Sequence, residues 1–212
     1  MNVLGRRDFL KGVVLYSAAA FLPNIRCSHE SSRPPNFIII FCDDLGYADV
    51  GCFGSKLHRT PNLDHMAEEG KRLTSFYVNA AVCSPSRAAL LTGCYHKRVG
   101  INKVLFPKSE IGLHPDEITI ADLLKGSGYA TACIGKWHLG DQPEFLPNRQ
   151  GFDKYFGLPY SNDMWPAHDG TELGKQKHAR RNYGPLPLLR NGKVIRTLKD
   201  QASLTGEYTE EA

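Results

Sequence analysis

Asn36-Phe37-Ile38-Ile39-Ile40-Phe41-Cys42-Asp43-Asp44 is a continuous apolar run with Pro34-Pro35 before it and two aspartates at its end. Its β-branched residues and lack of polar alternation predict a strand buried on both faces, as in a parallel sheet lying between layers of helices. Functional sites in open α/β sheets gather at the carboxyl ends of strands, which is where Asp43 and Asp44 stand. Two adjacent carboxylates repel unless a cation or hydrogen-bond donors compensate them, and hard oxygen ligands suit Ca²⁺ or Mg²⁺ better than a thiophilic metal. An ordinary turn is the plainer reading of the same pair.

Working outward, Thr60-Pro61-Asn62-Leu63-Asp64 opens a helix that stops at Gly70, with Leu63, Met66 and Ala67 spaced for one buried face. Leu73 to Val78 alternates as a second strand and delivers the chain to Cys83-Ser84-Pro85-Ser86-Arg87-Ala88-Ala89-Leu90-Leu91-Thr92-Gly93. Ser84 is a good N-cap, Pro85 suits the first helical position, the Ala/Leu run favours helix, and Gly93 stops it. Such a helix aims its unpaired N–H groups and positive dipole end at Cys83. Arg87 in the first turn works against the dipole, so its placement points to a task, holding negative charge beside Cys83. A capped helix with a buried cysteine and a solvated arginine fits these residues equally well.

Ile118 to Lys125 forms another amphipathic helix ended by Gly126 and Gly128, and Tyr129 to Ile134 a buried strand, followed by Gly135-Lys136-Trp137-His138-Leu139-Gly140. If extension continues past Gly135, Lys136 and His138 project to one side, a cation beside a proton carrier. His58, His65 and His96 read as structural. Ser161 to Arg181 is an irregular insertion. Leu186 to Arg190 and Lys193 to Ile195, joined by Asn191-Gly192, form a hairpin. Leu204 to Ala212 reads as the start of a helix that Thr209 caps.

With 212 residues, 42% hydrophobic content and a formal charge of +4, the chain fits a globular class. It carries no basic stripe interleaved with aromatics, which argues against nucleic acid as a partner. Arg6-Arg7-Asp8-Phe9-Leu10-Lys11, followed by a short apolar stretch from Val13 to Leu22, predicts a Tat-type signal over residues 1–27. The Tat export machinery would then carry the chain to the periplasm or beyond. A membrane becomes a partner only if Cys27 is lipidated, and Asn24-Ile25-Arg26 is a poor lead-in for that. Residues 28–35 read as a polar linker, and 36–212 as catalytic-domain sequence. The cysteines at 27, 42, 52, 83, 94 and 133 include no Cys-x-x-Cys pair and specify no disulfide framework.

Cys-x-Pro-x-Arg with Ala-x-Leu-x-Thr-Gly, preceded by Asp43-Asp44 and followed by Gly135-Lys136-Trp137-His138-Leu139-Gly140, resembles the type I sulfatases in order and rough spacing. Thr60-Pro61-Asn62-Leu63-Asp64 and Gly151-Phe152-Asp153 add to the likeness, which runs from about Asn36 onward and is nearest the arylsulfatase A and N-acetylgalactosamine-6-sulfatase group. The resemblance implies an alkaline-phosphatase-like α/β/α sandwich with a mixed, mostly parallel sheet, incomplete at the C-terminus. It implies that a maturation enzyme converts Cys83 to formylglycine, whose hydrate attacks the sulphur of an aryl or carbohydrate sulfate ester. Asp43, Asp44 and the modified residue 83 would bind Ca²⁺, with Mg²⁺ the weaker fit. Arg87 would stabilise the hydrate, Lys136 would bind the sulfate, and His138 would take a proton from the second hydroxyl.

The family's later metal ligands, and the His and Lys that serve its leaving group, are expected beyond residue 212. The chain thus reads as the N-terminal portion of a sulfatase, poorly soluble and barely active alone. His168 and His178 sit in the irregular insertion and are not assigned to the site. Two rival readings are a phosphate or phosphonate ester hydrolase of the same superfamily and an inactive module binding sulfated glycans.

Overall fold

The computed structural model describes residues 33–165 and 183–212. The Tat-type segment, Cys27, His168 and His178 lie outside the described residues. The chain divides into two units, 1–42 and 43–212.

In the first unit, residues 33–42 carry no assigned strand, and Phe37, Ile38, Ile39 and Ile40 are exposed, Ile38 by 86%. The expected doubly buried strand is therefore absent. Its side chains are strand-competent, but a strand exists only through a ladder partner, and the strands described pair solely with one another.

The second unit holds a mixed four-stranded sheet in the order β1-β2-β3-β4, with β1 at Ala132–Lys136, β2 at Lys154–Leu158, β3 at Pro187–Arg190 and β4 at Lys193–Thr197. β1 and β2 are parallel, while β2–β3 and β3–β4 are antiparallel. The α/β class with a mixed sheet is thus as expected, and β2 is a strand that sequence reading does not single out. The predicted hairpin is present. Asn191 (φ 50°) and Gly192 (φ 78°) both take the left-handed backbone that a two-residue turn of this hand needs. Asn191 also anchors the hairpin to β2, its Oδ1 accepting from Tyr155 N at 2.8 Å and its N–H donating to Tyr155 O at 2.8 Å.

Among the described residues, four α-helices accompany the sheet: α1 (Pro61–Glu69), α2 (Cys83–Thr92), α3 (Ile120–Gly126) and α4 (Leu204–Glu211). α1 starts and ends as predicted, at Pro61 and before Gly70, but Leu63 and Met66 are exposed rather than buried. Leu73 to Val78 is likewise exposed and forms no strand. α3 has a full capping box, with Thr119 Oγ1 accepting from Asp122 N (3.2 Å) and Asp122 Oδ2 accepting from Thr119 N (2.9 Å). α4 is capped at Ser203, not at Thr209, whose hydroxyl instead donates to Thr205 O within the helix.

Two apolar clusters form the core. One joins Ala88 of α2 with Ile101, Leu105, Leu113, Trp137, Leu139, Tyr155 and Leu189. The other joins Phe156, Leu158, Tyr160, Leu186, Leu188 and Leu204, with Tyr208 packed against it. Both flank the C-terminal end of β1, so Lys136 and His138 sit on a rigid support.

Candidate functional site

α2 begins two residues earlier than expected. Val82 is its N-cap and Cys83 its first residue, which leaves Cys83 and Arg87 four apart on one face. Gly93 ends the helix in the left-handed conformation (φ 66°), its N–H donating to Ala89 O at 2.9 Å. Ser84 is not the cap. It is fully buried, and its Oγ accepts from Leu105 N at 3.1 Å.

β1 brings Lys136 to the same place. Gly135 (φ 100°) lies opposite Gly157 on β2, and a Cβ on Gly157 would fall 1.8 Å from Gly135 O. Only glycine permits that approach, which lets the two strands pair in register up to Lys136. The Lys136 ammonium donates to Cys83 Sγ at 3.3 Å, to Ser161 Oγ at 3.0 Å and to Asp43 Oδ2. Arg87 Nη2 lies 3.5 Å from the same Asp43 oxygen, and Arg87 Nη1 donates to Lys136 O at 2.7 Å. The Cys83 thiol in turn faces Asp43 Oδ1 at 3.7 Å. Asp43, Cys83, Arg87 and Lys136 thus converge, although they come from a loop, a helix and a strand.

The charges within this group do not cancel. One carboxylate faces two cations at the N-terminus of a helix, so the immediate surroundings of Cys83 favour an added anion. Burial opposes ionisation of Asp43, but the hydrogen bond and charge of Lys136, the charge of Arg87 and the Cys83 contact outweigh it and hold the carboxyl below its ordinary value.

His138 is 1% exposed and has a left-handed backbone (φ 63°), so its direction does not follow from strand alternation as the sequence implied. Its N–H donates to Pro159 O at 3.1 Å, extending the β1–β2 pairing beyond Lys136. Burial lowers the ring's pKa to about 4; the bond to the Leu105 carbonyl acts the other way, and the charges of Lys136 and Arg87 lower it further. The imidazole is neutral at pH 7. Its Nε2 is 2.7 Å from Leu105 O, and Nδ1 is buried without a hydrogen-bond partner.

Asp44 is the predicted site residue that the structure leaves apart. It is exposed, in left-handed backbone (φ 56°), and its carboxylate has no contact with the cluster. Among the described residues, no three His, Cys, Asp or Glu side chains converge as a metal-binding group. Asp43 and an oxygen on residue 83 would supply hard donors suited to Ca²⁺, but only part of the six to eight that Ca²⁺ takes. Ser161 is the residue that sequence reasoning missed. It is buried against Lys136, and the only available signal was its position just past the glycine-containing strand β2.

Known proteins resemble the chain along most of this length. A family model described as Sulfatase matches residues 35–202. Human arylsulfatase A is 51% identical over 143 residues, covering 66% of this chain and 28% of that protein. Mouse steryl-sulfatase is 51% identical over 158 residues, covering 67% of this chain and 25% of that protein. Among solved structures, Ps i-CgsB in complex with k-i-k-neocarrahexaose superposes with a TM-score of 0.65 at 38% identity, over 80% of this chain and 38% of that one. The chain therefore spans less than half the length of these proteins.

Proposed function

The chain belongs to the sulfatase family, and from that premise we propose that it contributes the nucleophile half of a sulfuric ester hydrolase acting on an aryl or carbohydrate sulfate. The observation that carries this reading is the Lys136 ammonium, 3.3 Å from Cys83 Sγ and paired with Asp43, with Arg87 at the same carboxylate. A sulfate group brought to residue 83 meets two cations and a helix N-terminus where negative charge builds up on its oxygens. The k-i-k-neocarrahexaose held by the Ps i-CgsB structure supports a carbohydrate as the substrate class.

In this reading a maturation enzyme oxidises the Cys83 thiol to an aldehyde. The hydrated aldehyde supplies one hydroxyl to attack sulphur, expelling the alcohol, and a second whose deprotonation releases sulfate by C–O cleavage and restores the carbonyl. One hard displacement is thereby divided into two easier steps. Lys136 binds the sulfate, Arg87 steadies the hydrate, and neutral His138 accepts the proton of the second hydroxyl. Asp43 and the oxygen of residue 83 would supply part of the donor set for Ca²⁺, which when bound offsets charge on the sulfate oxygens.

The test is the mass of the Cys83 peptide from protein made in its own host. An aldehyde trapped by a hydrazide supports the reading, and an alkylatable thiol with no sulfate release overturns it. Paired aryl sulfate and aryl phosphate substrates separate sulfatase from phosphate-ester chemistry. Lys136→Ala is expected to lower kcat/KM for the sulfate by about 10²–10³.

A further inference from the structure

Ser84 follows the proposed nucleophile and was the natural candidate for a helix cap. The structure makes it the second residue of α2, with its side chain fully buried. A serine inside a helix usually bonds back to its own helix or faces water. Here the hydroxyl reaches outside the helix and accepts the N–H of Leu105, 21 residues further on, at 3.1 Å. The carbonyl of that same Leu105 takes His138 Nε2 at 2.7 Å. Leu105 is 3% exposed and its side chain belongs to the core cluster that includes Ala88 of α2. One buried backbone residue therefore joins the start of α2 to the imidazole.

The direction of the second bond carries information. A carbonyl oxygen can only accept, so Nε2 must hold the proton, and in the neutral ring Nδ1 is then the lone pair. Resting on the proton-accepting role given to His138 above, we propose that Ser84 is a positioning residue: by holding Leu105 it fixes the His138 tautomer whose free nitrogen, Nδ1, takes the proton. Without the hydroxyl, the Leu105 N–H loses its buried partner, the loop shifts to recover one, and the carbonyl no longer dictates which nitrogen is protonated. The bland alternative is that Ser84 only satisfies a buried N–H.

The tautomer separates the two. Long-range ¹⁵N–¹H correlation spectra of the His138 ring are recorded at pH 7 on the full chain and on Ser84→Ala, Ser84→Thr and Ser84→Cys. The wild type should show a pure Nε2–H pattern, Ser84→Ala a mixture of tautomers, and Ser84→Thr the wild-type pattern. Ser84→Cys keeps the size but weakens the acceptor, and gives the readout if Ser84→Ala does not fold. In matured enzyme, Ser84→Ala should lower kcat by about 10–100-fold with KM little changed, the range for loss of a group that orients another. A folded Ser84→Ala or Ser84→Cys with a pure Nε2–H ring overturns the proposal. If the Cys83 peptide made in the native host keeps an unmodified thiol, the sulfatase reading fails, while the tautomer spectra still decide what Ser84 does.

Discussion

Ile38 and Leu188 are both aliphatic residues in short apolar runs that read as strands, yet Ile38 is 86% exposed and Leu188 fully buried. The two helices α1 and α2 repeat the contrast. α1 has the cleaner amphipathic spacing, but its Leu63 and Met66 face outward, whereas α2 buries Ser84, Pro85, Ser86 and Ala88. Residues 43–82 are held by polar knots instead: Cys52 N and Thr60 Oγ1 both donate to Asp64 Oδ1, Gly51 N donates to Thr60 Oγ1, and the Tyr47 hydroxyl donates to Phe76 O. Local pattern makes a segment able to be buried; a partner element decides whether it is. The site straddles this division, taking Asp43 from the knotted region and Cys83, Arg87, Lys136 and Ser161 from the packed one.

The contrast sharpens most at β3. Leu188→Ala removes a side chain from the second core cluster and should cost about 2–5 kcal/mol, read as a drop in the urea midpoint with unchanged slope. A loss below 1 kcal/mol would mean that the packed region is looser than its burial implies.

His138 gives the next effect. Its folded pKa of about 4 lies below the ordinary 6.5, so between those values the unfolded chain binds the proton and the folded one does not. Stability therefore rises with pH through this window and is lost as pH falls. At about 1.4 kcal/mol per pH unit the gap amounts to roughly 3 kcal/mol, most of it gone by pH 4.5. Asp43, also depressed, loses its contribution only below its unfolded value, under about pH 4, so the two do not overlap. Urea midpoints at pH 4.5 and 7 should differ for the wild type, and His138→Gln should flatten the difference. An unchanged slope in the variant would place the acid sensitivity elsewhere.

Thr119 is a smaller lever. Its hydroxyl completes the capping box of α3 and donates to Gln150 O at 2.8 Å in the core. Thr119→Ala should cost about 1–2 kcal/mol, while Thr119→Ser should recover most of it. Failure of serine to rescue would show that the methyl group, not the hydroxyl, matters.

The legible parts of the molecule were those set by local chemistry. Pro61 and Gly70 bound α1, Gly93 ends α2, and Asn191-Gly192 turns the hairpin, because each acts through its own backbone. Cys83, Arg87, Lys136 and Asp43 were readable as candidates through residue type and position, and the structure brings those four together. What escaped was non-local. The N-cap moved from Ser84 to Val82 because a loop 21 residues away claims the serine hydroxyl. Ser161 reaches Lys136 only through the β1–β2 pairing. His138 turns off strand alternation through its left-handed backbone. The runs at 36–42 and 73–78 failed for the opposite reason: their composition specifies a strand, but the described sheet is built of β1 to β4 alone and includes neither run.

That last point has its own measurement, with the smallest expected change. Ile40→Thr keeps β-branching and removes only apolar surface at a residue 74% exposed. Because almost nothing is desolvated there on folding, the stability of the chain should move by less than about 0.5 kcal/mol. A shift above about 1 kcal/mol would show the run buried against something in solution and break the comparison at its sharpest point. An unchanged midpoint combined with less self-association would sharpen it instead. An uncharged run of this composition, with Phe37, Ile38, Ile39 and Ile40 exposed, is a template for pairing with another copy of itself, and threonine weakens that pairing without touching the packed core.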